Sequence, residues 1–126
     1  MAIVMNHLIV PAADREAAAA FFAGLLGLRV GPPAGPFAPV SVNDDLTLDF
    51  DDRRAPQSGH YAFLVDDDTF DALMERLERD PAIDYGSGPM NGWDREINHL
   101  AGGRGVYVRD PNGHSYELFT AEPEDH

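Results

Sequence analysis

Two imidazoles and a carboxylate carry the chemistry this chain is best equipped for: His7, His60 and Glu117. Two His and one carboxylate around an ion leave coordination positions open, the arrangement that suits Fe(II) oxygen chemistry. The same donors also accept catalytic zinc, and Mn, Ni or Co fit them as well. A carboxylate in a dry pocket loses its hydration, so such a trio is stabilised when an ion compensates it. Of the other histidines, His114 follows a turn, where it serves the turn or supports a ligand from behind, and His126 is terminal.

The elements that must bring these three together form two successive units. Residues 1–10 alternate and are β-rich, ending at Pro11, so His7 lies in a first strand. Asp14 is placed to cap a helix, Phe21, Phe22, Leu25 and Leu26 recur at helical spacing, and Gly27 stops it. A Gly/Pro-rich stretch, 31–39, precedes short strands at 39–42 and 46–50, and 51–59 reads as a connector. The order then repeats. Residues 59–65 form a strand opened by His60, and Asp66, Asp67 and Asp68 place negative charge at the start of the next helix. Phe70, Leu73, Met74 and Leu77 give that helix one apolar face, and Pro81 closes it. A short strand near 83–85 leads into a long loop, 86–105, in which Gly86-Ser87-Gly88 reads as a flexible link. A hairpin of 104–109 and 114–120 around Asp110-Pro111-Asn112-Gly113 finishes the chain. In the last strand Glu117 faces away from Tyr116 and Leu118. Matching positions in two repeated units are related by an approximate twofold axis, which lets His7 and His60 converge. The expected fold is α+β: two βαβββ modules, about 3–52 and 59–120, forming a curled eight-stranded mixed sheet in one domain over 1–126.

Composition narrows the partners. The chain has 126 residues, no Cys, and a net charge of −13, and all nine basic residues are Arg. Absence of Cys removes disulfides, thiolate metal sites and a Cys nucleophile. No cluster of positive charge exists to neutralise phosphates, so neither nucleic acid nor an anionic membrane surface is an expected partner. The longest apolar stretch, 17–28, is too short to span a bilayer, and no export signal is visible, so a cytoplasmic location is expected. No phosphate-binding glycine loop, His-Glu-x-x-His or Gly-x-Ser-x-Gly elbow is present.

The βαβββ–βαβββ order, with His7, His60 and Glu117 in its strands, resembles the vicinal oxygen chelate superfamily. That group contains glyoxalase I, fosfomycin-resistance enzymes, bleomycin-resistance proteins and type I extradiol dioxygenases. The resemblance covers about residues 5–120 and implies that His7, His60 and Glu117 are metal ligands. It sets Asp49 where glyoxalase I has a further carboxylate ligand, although Asp is shorter than the Glu found there. The segment Ile97-Asn98-His99, six residues, Val106-Tyr107-Val108-Arg109, Asp110-Pro111-Asn112-Gly113, three residues and Glu117 looks like the extradiol dioxygenase signature. By that resemblance His99 and Tyr107 stand beside the substrate and hydrogen-bond its oxygens, with Asp49 as a further ligand or base. Trp93, Arg95 and Asn98 in the long loop are expected to form a lid that touches substrate.

The resemblance therefore implies one divalent metal, Fe(II) by preference, and a small substrate that chelates it through adjacent oxygens. It also implies a homodimer, and leaves open whether each site is built within one chain or across the two. Extradiol-dioxygenase-like chemistry leads; a glyoxalase-like lyase or isomerase is the nearest alternative, and a fosfomycin-type transferase fits less well because the chain lacks Lys. The non-catalytic alternative is a bleomycin-resistance-like protein that sequesters a cationic antibiotic, a role the negative charge favours.

Overall fold

The computed structural model describes residues 2–122, so His126 lies outside the described residues. The chain divides into two compact units, Met1–Gln57 and Ser58–His126, each built as a helix laid on its own small sheet.

The first unit runs β1 (His7–Pro11), α1 (Arg15–Leu26), β2 (Phe37–Ser41) and β3 (Thr47–Asp51). Its three strands are ordered β1-β3-β2, with β1 parallel and β2 antiparallel to β3. Helix α1 begins because the Asp14 carboxylate accepts from the backbone N–H groups of Glu16 and Ala17, at 3.0 and 3.1 Å. It ends because Gly27 turns left-handed at φ 68°, a conformation that costs glycine nothing. Ala18, Ala19, Phe22, Ala23 and Leu25 form its buried face. They meet Val10, Val40, Leu48 and Phe50 from the strands, all fully buried, and the Phe22 and Phe50 rings lie 6.0 Å apart.

The second unit repeats this plan with β4 (His60–Leu64), α2 (Asp67–Arg79), β5 (Tyr85–Gly86), β6 (Gly105–Arg109) and β7 (Ser115–Phe119). The strand order is β4-β7-β6-β5. Asp66 caps α2 through the Thr69 N–H at 2.8 Å, and the helix buries Phe70, Leu73 and Leu77 against Val106, Val108, Tyr116 and Leu118. Arg104 is clamped to α2 by ion pairs with Asp67 and Asp71 and lies 4.6 Å over the Phe70 ring.

The repeat extends to register. His7 stands opposite Thr47 and Asp49 opposite Pro39; likewise His60 stands opposite Ser115 and Glu117 opposite Tyr107. The fourth strand is where the units diverge. In the second unit Tyr85 pairs with Val108, whereas in the first the equivalent pairing is a single Val30–Val40 bridge. The prolines of 31–39 supply no N–H groups with which to lengthen it. The expected α+β architecture and repeated order are thus present; among the described residues the strands form a three-stranded and a four-stranded sheet, with the first unit's fourth strand reduced to the Val30–Val40 bridge. The first strand also starts later than expected, at His7, and Ile3, Val4 and Met5 before it are exposed. Among the described residues, no helix is long and apolar enough to cross a membrane.

Candidate active site

In the second unit the strand pleat sorts side chains onto two faces. Tyr116 and Leu118 point into the core, so Ser115 and Glu117 between them must point the other way, and on β4 that face carries His60, Ala62 and Leu64. His60 and Glu117 occupy diagonal positions on adjacent parallel strands, and their side chains meet: His60 Nε2 lies 2.9 Å from Glu117 Oε1. Tyr107 stands directly across from Glu117 on β6 and packs edge-on against the His60 ring at 5.7 Å. Burial, followed by the charge of Glu117, pushes the Tyr107 phenol above its ordinary value. At neutral pH Tyr107 is therefore an O–H donor.

Beside His60 and Tyr107 lies a cavity of about 210 Å³ lined by those two and by Gly88, Pro89, Gly92, Trp93 and Ser115; Glu117 is not among its lining residues. One wall is imidazole, phenol and hydroxyl; the other is indole, proline ring and bare backbone. Trp93 of the long loop is part of this lining.

His114 supports the site from behind. It is fully buried, its Nδ1 accepts from the Gly59 N–H at 2.9 Å, and its ring packs edge-on against Tyr61 at 5.5 Å. That bond fixes the backbone just before His60. The turn before it is held by buried Asp110, whose carboxylate accepts from the N–H groups of Asn112 and His114 and from the Tyr116 hydroxyl.

Other expected site residues are used differently. Arg95 was expected at substrate; its guanidinium instead donates to the carbonyls of Ile83 and Leu77 at 2.8 and 3.2 Å and lies 4.5 Å over the Tyr85 ring. It closes the end of α2. Asn98 likewise serves the loop: its amide donates to the Ser87 carbonyl, its side-chain oxygen accepts from Leu100 N–H, and its backbone bridges to Gly105. His99 is exposed, bonds through Nδ1 to the Gly103 carbonyl at 3.2 Å, and is not among the residues that line the cavity.

His7 and Asp49 belong to the first unit and share one face of its sheet, in the same diagonal relation as His60 and Glu117. His7 is exposed and its Nδ1 meets Asn6 Oδ1 at 2.9 Å. Among the described residues, no group of three or more His, Asp or Glu side chains is gathered closely enough to hold a metal ion. The His60–Glu117 pair nevertheless fits two ligand positions. Donors about 2.1 Å from an ion and at right angles about it stand roughly 3.0 Å apart, close to the observed 2.9 Å.

No protein-family model matches the chain. Among solved structures, Oxidase ChaP-H2 is 43% identical, with 98% of each chain covered and a TM-score of 0.88, and Oxidase ChaP-H1 is equally identical at 0.87. The glutathione transferase FosA of Serratia marcescens is 29% identical over 90% of this chain and 78% of its own length. A glyoxalase/bleomycin resistance protein of Catenulispora acidiphila DSM 44928 shares the fold at 18% identity, with a TM-score of 0.68 over 95% of this chain and all of that one. The chain belongs to the vicinal oxygen chelate superfamily. This vicinal oxygen chelate protein also uses side chains that a reading by residue type passed over. Ser115 shares a face with Glu117 by simple alternation, which could have found it. Pro89 and Gly92 sit in an irregular loop that carries no periodic signal.

Proposed function

We propose that this protein is a metal-dependent enzyme that oxidises a small molecule bearing two adjacent oxygens, with extradiol-dioxygenase-like chemistry as the leading form. The observation that carries it is the His60–Glu117 pair at 2.9 Å, with Tyr107 paired across from Glu117 and its ring against His60. The 43% identity to two proteins named as oxidases supports the direction of the chemistry.

In this reading His60 Nε2 and Glu117 hold a divalent ion, Fe(II) by preference, and His7 of a second copy of the chain supplies the third donor. The ion, when bound, supplies the redox capacity and the positive charge that lowers the pKa of a coordinated hydroxyl. The protein's own residues do the rest. The Tyr107 Oη–H, kept protonated, donates to a substrate oxygen and orients it. Trp93 and Pro89 cover the ring and keep water out. His114, by fixing Gly59, keeps His60 aimed. We place His99 outside the contact shell, where it holds the loop end.

Protein purified without an affinity tag tests this directly. It should contain about one transition metal per chain, lose it in Glu117→Ala, and consume O₂ with a catechol. Light scattering should give a dimer, and a mixed dimer of His7→Ala and Glu117→Ala chains should regain one intact site per pair. Monomeric protein that binds no metal defeats the proposal.

A glyoxalase-like lyase or isomerase is the second reading, favoured by Asp49, which shares a face with His7 and could add a fourth donor, its carboxylate. Isomerisation without O₂ consumption, with Ni or Zn as the activating metal, would select it.

A further inference from the structure

The loop that roofs the cavity is held by one carboxylate. Asp94 Oδ1 accepts from the backbone N–H groups of Ser87 and Glu96, at 2.9 and 3.1 Å, and Oδ2 accepts from the Ser87 hydroxyl at 2.6 Å. The Ser87 oxygen in turn accepts from the Asn91 amide at 3.1 Å. Residues 87–94 are thereby tied end to end, and between the ties lie Gly88, Pro89, Gly92 and Trp93, four of the seven residues lining the cavity. Two further contacts seat the loop against β5. A Cβ on Gly86 would come 2.5 Å from the Gly92 carbonyl oxygen, so only glycine permits this approach. Arg95, at φ 58° in the left-handed region, donates its N–H to the Tyr85 carbonyl at 2.9 Å. Gly86-Ser87-Gly88, expected to be a flexible link, is in fact the anchor. Trp93 is immediately followed by two pinned residues.

We infer that Asp94 is a positioning residue that acts through Trp93: by closing the 87–94 loop it sets the indole as a fixed wall of the cavity over His60 and Tyr107. Asp94 itself is not one of the residues lining that cavity, and its carboxylate is turned into the loop. Its effect on a substrate is indirect, through where Trp93 stands. The Ser87 hydroxyl and N–H also hold the Asp94 carboxyl below the usual carboxylate range, so the clamp is ionised at neutral pH. The inference rests on the reading of this cavity as the substrate site, but the clamp can be measured apart from it, because Trp93 is the sole tryptophan of the chain and its fluorescence reports its own surroundings.

The test uses the full-length protein, catechol as probe, and the variants Asp94→Ala, Asp94→Asn and Ser87→Ala. Asp94→Ala should shift Trp93 emission to the red, increase its quenching by acrylamide, and weaken catechol binding by about tenfold, with metal content unchanged. Asp94→Asn keeps an oxygen for the two backbone donors, and its amide can donate to Ser87, so it should restore most of the wild-type emission. Ser87→Ala, which removes one donor to Asp94 and the acceptor of the Asn91 amide but keeps the Ser87 N–H bond, should fall between them and serves if Asp94→Ala fails to fold. Unchanged Trp93 emission and quenching in both Asp94→Ala and Ser87→Ala would overturn the inference. If Trp93 is released in these variants while even the wild-type protein binds neither metal nor catechol, the clamp stands and the functional reading falls.

Discussion

The first and second units set the same residue types on the same scaffold and arrive at different results. Each places a His at the start of one strand and a carboxylate diagonally across on its parallel neighbour. In the second unit the longer Glu117 reaches His60, a phenol stands opposite, and a tied loop closes a cavity beside His60 and Tyr107. In the first, the carboxylate is the shorter Asp49, the residue opposite it is Pro39, and His7 bonds instead to its neighbour Asn6. Backbone repetition thus supplies two equivalent addresses. One methylene, one hydroxyl and one loop decide which of them is elaborated.

The largest effect should come from removing the residue that makes the units differ. Glu117→Ala should lower metal affinity by more than the roughly 10–100-fold typical of residues that only support a ligand, read by metal analysis after dialysis. Asp49→Ala should cost far less, and equal losses would break the contrast. Tyr107→Phe should reduce turnover by about 10²-fold while metal content stays constant. Asp49→Glu sharpens the comparison from the other side: restoring the missing methylene should raise metal affinity severalfold by isothermal titration.

The smallest effects lie at the helix starts, where the units are most alike. Asp14→Ala should cost about 1 kcal/mol in urea unfolding. At Asp66 the hydrogen bonds from Thr69 lower the carboxyl pKa from 3.8, so its contribution is present above that value and lost as pH falls through the lower folded one. Stability measured across the acid range should therefore rise with pH, and Asp66→Asn should flatten that rise.

Periodicity explains which of these features were legible beforehand. The cap at Asp14, the stop at Gly27 and the apolar stripe Phe70-Leu73-Leu77 obey local rules, and the structure follows them within a few residues. Strand alternation likewise put Glu117 opposite Tyr116 and Leu118. The long loop resisted reading because its bonds obey no period. Arg95 and Asn98 looked like substrate contacts by residue type, yet donors of that kind equally satisfy stray carbonyls, and here those of Leu77, Ile83 and Ser87 claim them. Asp94 went unremarked because a single acid in so acidic a chain has no distinguishing neighbour until the fold brings Ser87 to it.

The proline in β2 has a consequence for how the protein behaves in a crowded solution. β2 is the outer strand of its sheet, and beyond it Val30, Gly31 and Ala34 make isolated contacts, Gly31 through the Pro39 carbonyl and Ala34 through the backbone of Phe37. At the middle of that rim Pro39 offers no donor, so another extended chain arriving there finds its acceptors unanswered. Replacing Pro39 with valine would complete the row of donors, and the same rim would become a place for fibrils to start.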